Sequence, residues 1–309
     1  MPTLADLRRL QLYHPTTSSF SMRSKTTAAT LLLAAGKTLA RCPVEAAWGR
    51  GWCHGPLADT TAGAEKLLQA LVGGRRPKHI CGKQLEEGLQ WLDGIAAVLD
   101  DVMQLAVPKF PGHGSFGVFD PKYHLSKVRL MHQTICRVKN TVKTVCELGF
   151  NAGHTSLMFL ETLPHARVLS FDLGDIPWAR WSAALLNATH GDRFEYIMGD
   201  SAKTVPAFKL ANPDTECDLL LIDGGKDYAL RKADLKNLRS LSKAGATLLF
   251  DEVCQEDCAR GTNQSGICRT CWSGCSRAYA DASRAGLIEI RECDVMESLK
   301  DGMCSAVYL

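Results

Sequence analysis

The stretch VKTVCELGFNAGHTSLMFLETLPHARVLSFD, Val142 to Asp172, decides how the rest of the chain is read. Thr144 to Leu148 is a short apolar run of the kind that forms a buried parallel strand. Gly149 and Gly153 bracket a tight turn. Thr155 to Leu163 carries helix-compatible apolar spacing, and Pro164 closes it. Arg167 to Phe171 is a second apolar strand, ending on Asp172. The unit therefore reads strand, turn, helix, strand. Glycines in such a turn let backbone approach a ligand closely, and the helix start offers free N–H groups. An acid at the end of the second strand is placed to accept hydrogen bonds from ribose hydroxyls.

The turn selects the nucleotide. A dinucleotide fold wants G-x-G-x-x-G, so that a helix N-terminus meets a pyrophosphate. Here the pattern is Glu147-x-Gly149-x-x-x-Gly153. A carboxylate before the first glycine would repel pyrophosphate and suit a cation. S-adenosylmethionine has an ammonium, a sulfonium and no phosphate, and is the natural candidate. In Glu147-Leu148-Gly149-Phe150-Asn151-Ala152-Gly153, with Asp172, the chain resembles the class I S-adenosylmethionine-dependent methyltransferases. The resemblance implies cofactor contacts at Glu147, Gly149, Asn151, Gly153 and Asp172. The bland alternative is that the glycines only permit close helix–strand packing.

Working outward, strands and helices alternate. Trp178 to Ala188 reads as a helix. Phe194 to Met198 is a third strand, ending in Gly199-Asp200-Ser201. Leu219 to Ile222 is a fourth, ending in Asp223-Gly224-Gly225-Lys226-Asp227. Tyr228 to Leu241 is helical, and Thr247 to Phe250 is a fifth strand, ending in Asp251-Glu252. A helix at Arg277 to Ala285 precedes two last strands, Leu287 to Arg291 and Ala306 to Leu309. Such alternation predicts an α/β, Rossmann-like, doubly wound and mostly parallel sheet of seven strands. The last two strands, joined by a short connection, are expected to hairpin into one antiparallel edge. Residues 126–309 form this domain, with a cysteine-rich insert at 254–275.

Residues 46–125 read as a helical N-terminal extension. Leu67, Leu68, Leu71 and Val72 fit one helical face, and Gly73-Gly74 breaks it. Leu85, Leu89, Leu92, Ile95, Val98, Leu99, Val102 and Leu105 then repeat at three and four residues. Pro108 and Pro111 end that helix. The loop Gly112 to Tyr123, with His113, Phe116 and Phe119, is either a substrate lid or a plain connection. Residues 125–139 form another helix. Residues 1–45 are rich in Ser, Thr, Ala and Arg and hold two acids, Asp6 and Glu45. That composition fits an organelle transit segment. Met22-Arg23-Ser24-Lys25 ahead of Ala28 to Ala35 also fits a secretory signal that starts late, and a disordered tail is the third reading.

Composition bounds the partners. At 309 residues and 46% apolar content the chain can bury a full core. A net charge of +3 argues for neither a nucleic-acid nor a membrane surface. No apolar run approaches the roughly 18 residues of a membrane span. Nothing in the sequence specifies an oligomeric state.

Ligands bind beyond the carboxyl ends of the strands in such sheets. Acids stand at five successive strand ends: Glu147 near the first, then Asp172, Asp200, Asp223, and Asp251 with Glu252. The resemblance puts Gly199-Asp200-Ser201 at the adenine edge, although Asp200 and Ser201 are equally helix N-cap types. Leu221-Ile222-Asp223-Gly224-Gly225-Lys226-Asp227 and Leu249-Phe250-Asp251-Glu252 resemble the catechol O-methyltransferase branch. That resemblance implies a magnesium ion on Asp223, Asp251 and Glu252, with Lys226 as general base. The chemistry is coherent, because a bound cation lowers the pKa of a coordinated hydroxyl. Three features depart from the branch: Glu252 stands where it has an amide, and Gly224 and Gly225 where it has bulky residues. The function implied is methyl transfer to a small-molecule hydroxyl, metal-assisted or metal-free. The rivals are a protein that binds S-adenosylmethionine without turnover and, lacking G-x-G, a nicotinamide dehydrogenase.

The chain has 13 cysteines. An odd total argues against a fully paired disulfide framework. Cys254, Cys258, Cys268, Cys271 and Cys275 stand in the insert. They read as structural zinc ligands, as disulfides or as free thiols.

Overall fold

The computed structural model describes residues 80–81, 85–106, 121–253, 273–296 and 301–309. The N-terminal 1–45 segment, the Ala64 to Gly74 helical pattern, most of the expected lid loop and Cys254 to Cys271 lie outside the described residues.

Two helices, α1 (Leu85–Ala106) and α2 (Pro121–Val138), precede the sheet. Then follow β1 (Thr144–Leu148), α3 (His154–Thr162), β2 (Arg167–Asp172), α4 (Pro177–His190) and β3 (Phe194–Met198). The chain continues through α5 (Ser201–Ala211), β4 (Cys217–Ile222), α6 (Tyr228–Leu241) and β5 (Ser242–Val253). It closes with α7 (Ser273–Arg284), β6 (Ile288–Met296) and β7 (Asp301–Tyr308). No described helix is long and apolar enough to cross a membrane.

The seven strands form one sheet in the order β3-β2-β1-β4-β5-β7-β6. The first five in that order run parallel, and β7 is antiparallel to both neighbours. The hairpin expected from the last two strands forms. Its second strand inserts between β5 and β6, so β6 is the sheet edge.

The parallel strands are buried on both faces, so they read as apolar runs rather than alternating patterns. Alternation still sorts their side chains. Val145, Val168, Leu219 and Leu249 face one core, shared with Leu92 and Leu99 of α1, Met131 and Ile135 of α2, Phe159 of α3 and Leu186 of α4. Cys146, Leu148, Leu169, Ile222 and Phe250 face the other, with Val205 of α5, Leu235 and Leu238 of α6, and Tyr279 of α7. On α1, Leu92, Ile95 and Leu99 are buried, so its apolar stripe packs into the core.

Several boundaries differ from the sequence reading, among them the end of β6, at Met296 rather than Arg291, and the start of β7, at Asp301 rather than Ala306. The sequence marks only the cap of α5, because Pro206 inside that helix masks its periodicity. β5 begins five residues earlier than its apolar run. Ser242 already pairs with Cys217, and a register shift separates that pair from the Leu219–Thr247 pair. Among the described residues, disulfides join Cys81 to Cys136, Cys146 to Cys217 and Cys293 to Cys304, and Cys275 is a buried free thiol.

Candidate functional site

Register lines up the strand ends. Leu148 pairs with both Phe171 and Ile222, and Ile222 pairs with Phe250. Gly149, Asp172, Asp223 and Asp251 therefore stand side by side, one residue beyond these pairs. Asp172 pairs with Met198, so Gly199 and Asp200 follow on the next strand.

The structure places Glu147 elsewhere than at a ligand's ammonium group. Its side chain is fully buried and accepts hydrogen bonds from the hydroxyls of Thr155, Ser156 and Ser170, the last at 2.6 Å. Ser170 is its same-face partner on β2, and Thr155 and Ser156 open α3. Strand alternation turns residue 147 to the sheet face that α3 covers. Glu147 thus ties the first turn of α3 to the sheet. Burial pushes its carboxyl up to about 7, against the pull of the three hydroxyls.

The glycines serve packing first. Gly149 has φ +95°, and a Cβ there would lie 2.4 Å from the Asp223 carbonyl oxygen. Gly153 has φ +87°, and a Cβ there would meet the Phe150 ring at 2.5 Å. Both positions need glycine for their backbone conformation, Gly149 also for the close approach of the β1 and β4 ends and Gly153 for the packing of the Phe150 ring. Asn151 also adopts positive φ, and its Oδ1 accepts from Trp178 Nε1 at 2.8 Å. Asp172 Oδ2 accepts from the amides of Phe150 and Asn151 at 2.8 and 3.1 Å, while Oδ1 accepts from Gly174 N and Tyr196 Oη. The half-buried Asp172 therefore fixes the glycine turn from the neighbouring strand.

Asp200 is the N-cap of α5, accepting from Ala202 N at 3.0 Å, and Ser201 Oγ donates to Asp234 Oδ1 at 2.6 Å. Two residues that sequence reasoning missed flank this edge. Leu173 is 60% exposed and Met198 48% exposed, the Met198 side chain lying over Gly174. Large apolar side chains left open beside Asp172 suit the face of a planar base. The available signal was a leucine and a methionine standing where the apolar strands give way to polar loop.

A charge cluster occupies the fourth and fifth strand ends. Lys226 Nζ lies 2.8 Å from Asp223 Oδ1 and 2.5 Å from Glu252 Oε1. Burial opposes its charge, but Asp223 and Glu252 outweigh burial and hold its pKa above the ordinary lysine range. Burial likewise pushes Glu252 up to about 7, against the pull of Lys226. Behind them lies the fully buried Arg231, 4.0 Å from Glu252 and over the Tyr279 ring. The Cys275 thiol donates to the Lys226 carbonyl at 3.3 Å. At Gly225, Leu230 fills the space that a bulky side chain would take, while at Gly224 the nearest atom to a Cβ is 3.6 Å away.

The three acids expected to hold magnesium are not brought together as ligands. A cation of that size needs its oxygens at about 2.1 Å from one point. Asp251 and Glu252 are consecutive strand residues and face opposite sides of the sheet. Asp251 Oδ1 pairs with Lys127 Nζ of α2 at 2.7 Å, both side chains buried. Glu252, at φ +65° beside the register shift of β5 against β7, turns to Lys226. Among the described residues, the one group of three His, Cys, Asp or Glu side chains close enough to share an ion is Cys81, His132 and Cys136. As arranged, the acids fit two ammonium groups and do not fit a magnesium ion. The sequence signal for Lys127 was a cation on the buried stripe of α2, one turn before Met131.

Residues 146–253 match a family model described as a methyltransferase domain. That stretch is thus a match to a methyltransferase domain. No curated protein matches the chain. Solved structures similar to it include an O-methyltransferase from Bacillus cereus in complex with SAH, at 16% identity over 89% of this chain and 97% of that one, TM-score 0.46. Another is a putative caffeoyl-CoA O-methyltransferase from Staphylococcus aureus, at 18% identity, 74% and 98% coverage and TM-score 0.49. A third is TomG from Streptomyces achromogenes, an O-methyltransferase in complex with SAM, at 16% identity, 69% and 88% coverage and TM-score 0.49.

Proposed function

We propose that the protein transfers a methyl group from S-adenosylmethionine to a hydroxyl of a small molecule, without a metal. The observation that carries this reading is Lys226, held between Asp223 and Glu252 at the strand ends beside the glycine turn. The donor set suits the cofactor: acids at Asp172, Asp200 and Asp223, uncovered apolar surface at Leu173 and Met198, and the Gly149–Gly153 turn. Asn151 and Ser201 complete this lining. Bound there, S-adenosylmethionine supplies an electrophilic methyl group on a sulfonium.

The chain's own residues handle the acceptor. Lys226, kept as an ammonium, donates a hydrogen bond to the acceptor oxygen and stabilises the charge that develops on it. Asp223 holds Lys226 in place. Glu252 takes the hydroxyl proton, since a carboxyl near 7 is matched to proton transfer at neutral pH. Lys226 therefore works by charge rather than as the base, and Asp251, paired with Lys127, braces β5 against α2. The acceptor is a small hydroxyl compound rather than nucleic acid, in keeping with a net charge of only +3.

The test is methyl transfer to a panel of phenols, catechols and sugar hydroxyls, with and without EDTA, alongside calorimetry of S-adenosylmethionine. Methylated product that persists in EDTA is expected. Turnover that needs added magnesium would overturn the metal-free reading. Failure to bind S-adenosylmethionine would overturn the function.

A further inference from the structure

We infer that Cys81, His132 and Cys136 form a second, independent site, one that takes a zinc-type ion when its two cysteines are reduced. The site lies where the segment before α1 meets α2, and it uses nothing of the methyl-transfer apparatus. His132 and Cys136 are four residues apart on α2 and so share one face of it. Cys81 arrives from the turn at Ile80–Cys81, its Cα 5.4 Å from that of Cys136. One ligand atom from each residue lies within 4.8 Å of the others.

Two further observations point to a ligand rather than to packing alone. The His132 ring nitrogens lie 3.6 and 3.8 Å from Cys136 Sγ. Two ligands of one tetrahedral zinc, at about 2.3 Å for sulfur and about 2.0–2.1 Å for nitrogen, stand about 3.5 Å apart. The imidazole is also prepared for coordination. It is fully buried and hydrogen-bonded to the Ile80 backbone. A backbone partner of this kind orients a histidine and fixes which nitrogen is left for a metal.

In the structure the two sulfurs are bonded to each other, so ion and disulfide exclude one another. A dithiol reductant gives the bridge two electrons and two protons, is itself oxidised to a disulfide, and leaves two thiols. The ion then binds both sulfurs and His132, displacing the two thiol protons. Either state clamps the approach to α1 onto α2.

Cobalt(II) is the probe, added to the full chain after reduction with dithiothreitol and anaerobic desalting. The reduced protein should bind one equivalent more than Cys136→Ser or His132→Ala, with the thiolate-to-cobalt and visible bands of a tetrahedral site. Comparison with these variants removes the contribution of the other cysteines. A second measurement needs no variant: zinc should protect Cys81 and Cys136 of the reduced wild-type chain from iodoacetamide, read by peptide mass spectrometry. Equal cobalt stoichiometry and spectra in all three proteins would overturn the site. So would alkylation of Cys81 and Cys136 that zinc does not slow.

Discussion

Lys226 owes its character to its neighbours. With Asp223 at 2.8 Å and Glu252 at 2.5 Å it stays an ammonium across the working pH range, so its use is to meet developing negative charge. Lys226→Met should leave S-adenosylmethionine affinity unchanged by calorimetry and lower single-turnover methyl transfer by roughly a hundred-fold or more. Glu252 must be ionised to accept a proton. The wild-type rate should therefore rise with pH through about 7, and Glu252→Gln should lose that limb. A limb unchanged in the glutamine variant would remove Glu252 as proton acceptor. Gly153 belongs to this scale as well. At φ +87°, with the Phe150 ring in the way of any Cβ, Gly153→Val should cost about 1–3 kcal/mol in urea unfolding. An unchanged midpoint would show that the turn relaxes freely.

At the scale of elements, the alternation of β5 decides the chemistry. Asp251 turns to α2 and Glu252 to α6, so each acid meets a different lysine. The Lys127–Asp251 pair is buried, and removing one partner strands the other's charge. Lys127→Met should destabilise the fold by about 3–5 kcal/mol, and adding Asp251→Asn should recover part of that loss. Denaturant midpoints of the two single variants and the double variant check this in one cycle. A double variant no more stable than Lys127→Met would mean that the pair is not coupled.

For the whole molecule, Glu147 couples stability to pH. Its carboxyl sits near 7 in the fold, against 4.5 as the ordinary glutamate value. The folded chain therefore keeps a proton that the unfolded chain releases. The stabilisation is complete below about pH 4.5 and is lost as pH rises through about 7. Glu147→Gln cannot ionise. Its stability relative to wild type should therefore improve from pH 5 to pH 8, measured by urea midpoints at both. An equal difference at the two pH values would show that Glu147 does not carry the slope.

The sequence alone determined the sheet, because its signals are local. Runs such as Thr144–Leu148 and Phe194–Met198, cut by Gly149, Gly153 and Gly199, fix where strands stop, and the acids after them are read directly. The row formed by Gly149, Asp172, Asp223 and Asp251 follows only once the strands pair in their register. What each carboxylate does was decided only by tertiary structure. Glu147 and Asp251 look in sequence like groups waiting for a cation, yet one is closed off by three hydroxyls and the other by Lys127, 124 positions away along the chain. A strand's pleat sends neighbouring residues to opposite faces, and the partner met on each face comes from a distant element. Local pattern therefore places a charge at a strand end, while packing alone decides whether a ligand, a lysine or a hydroxyl answers it.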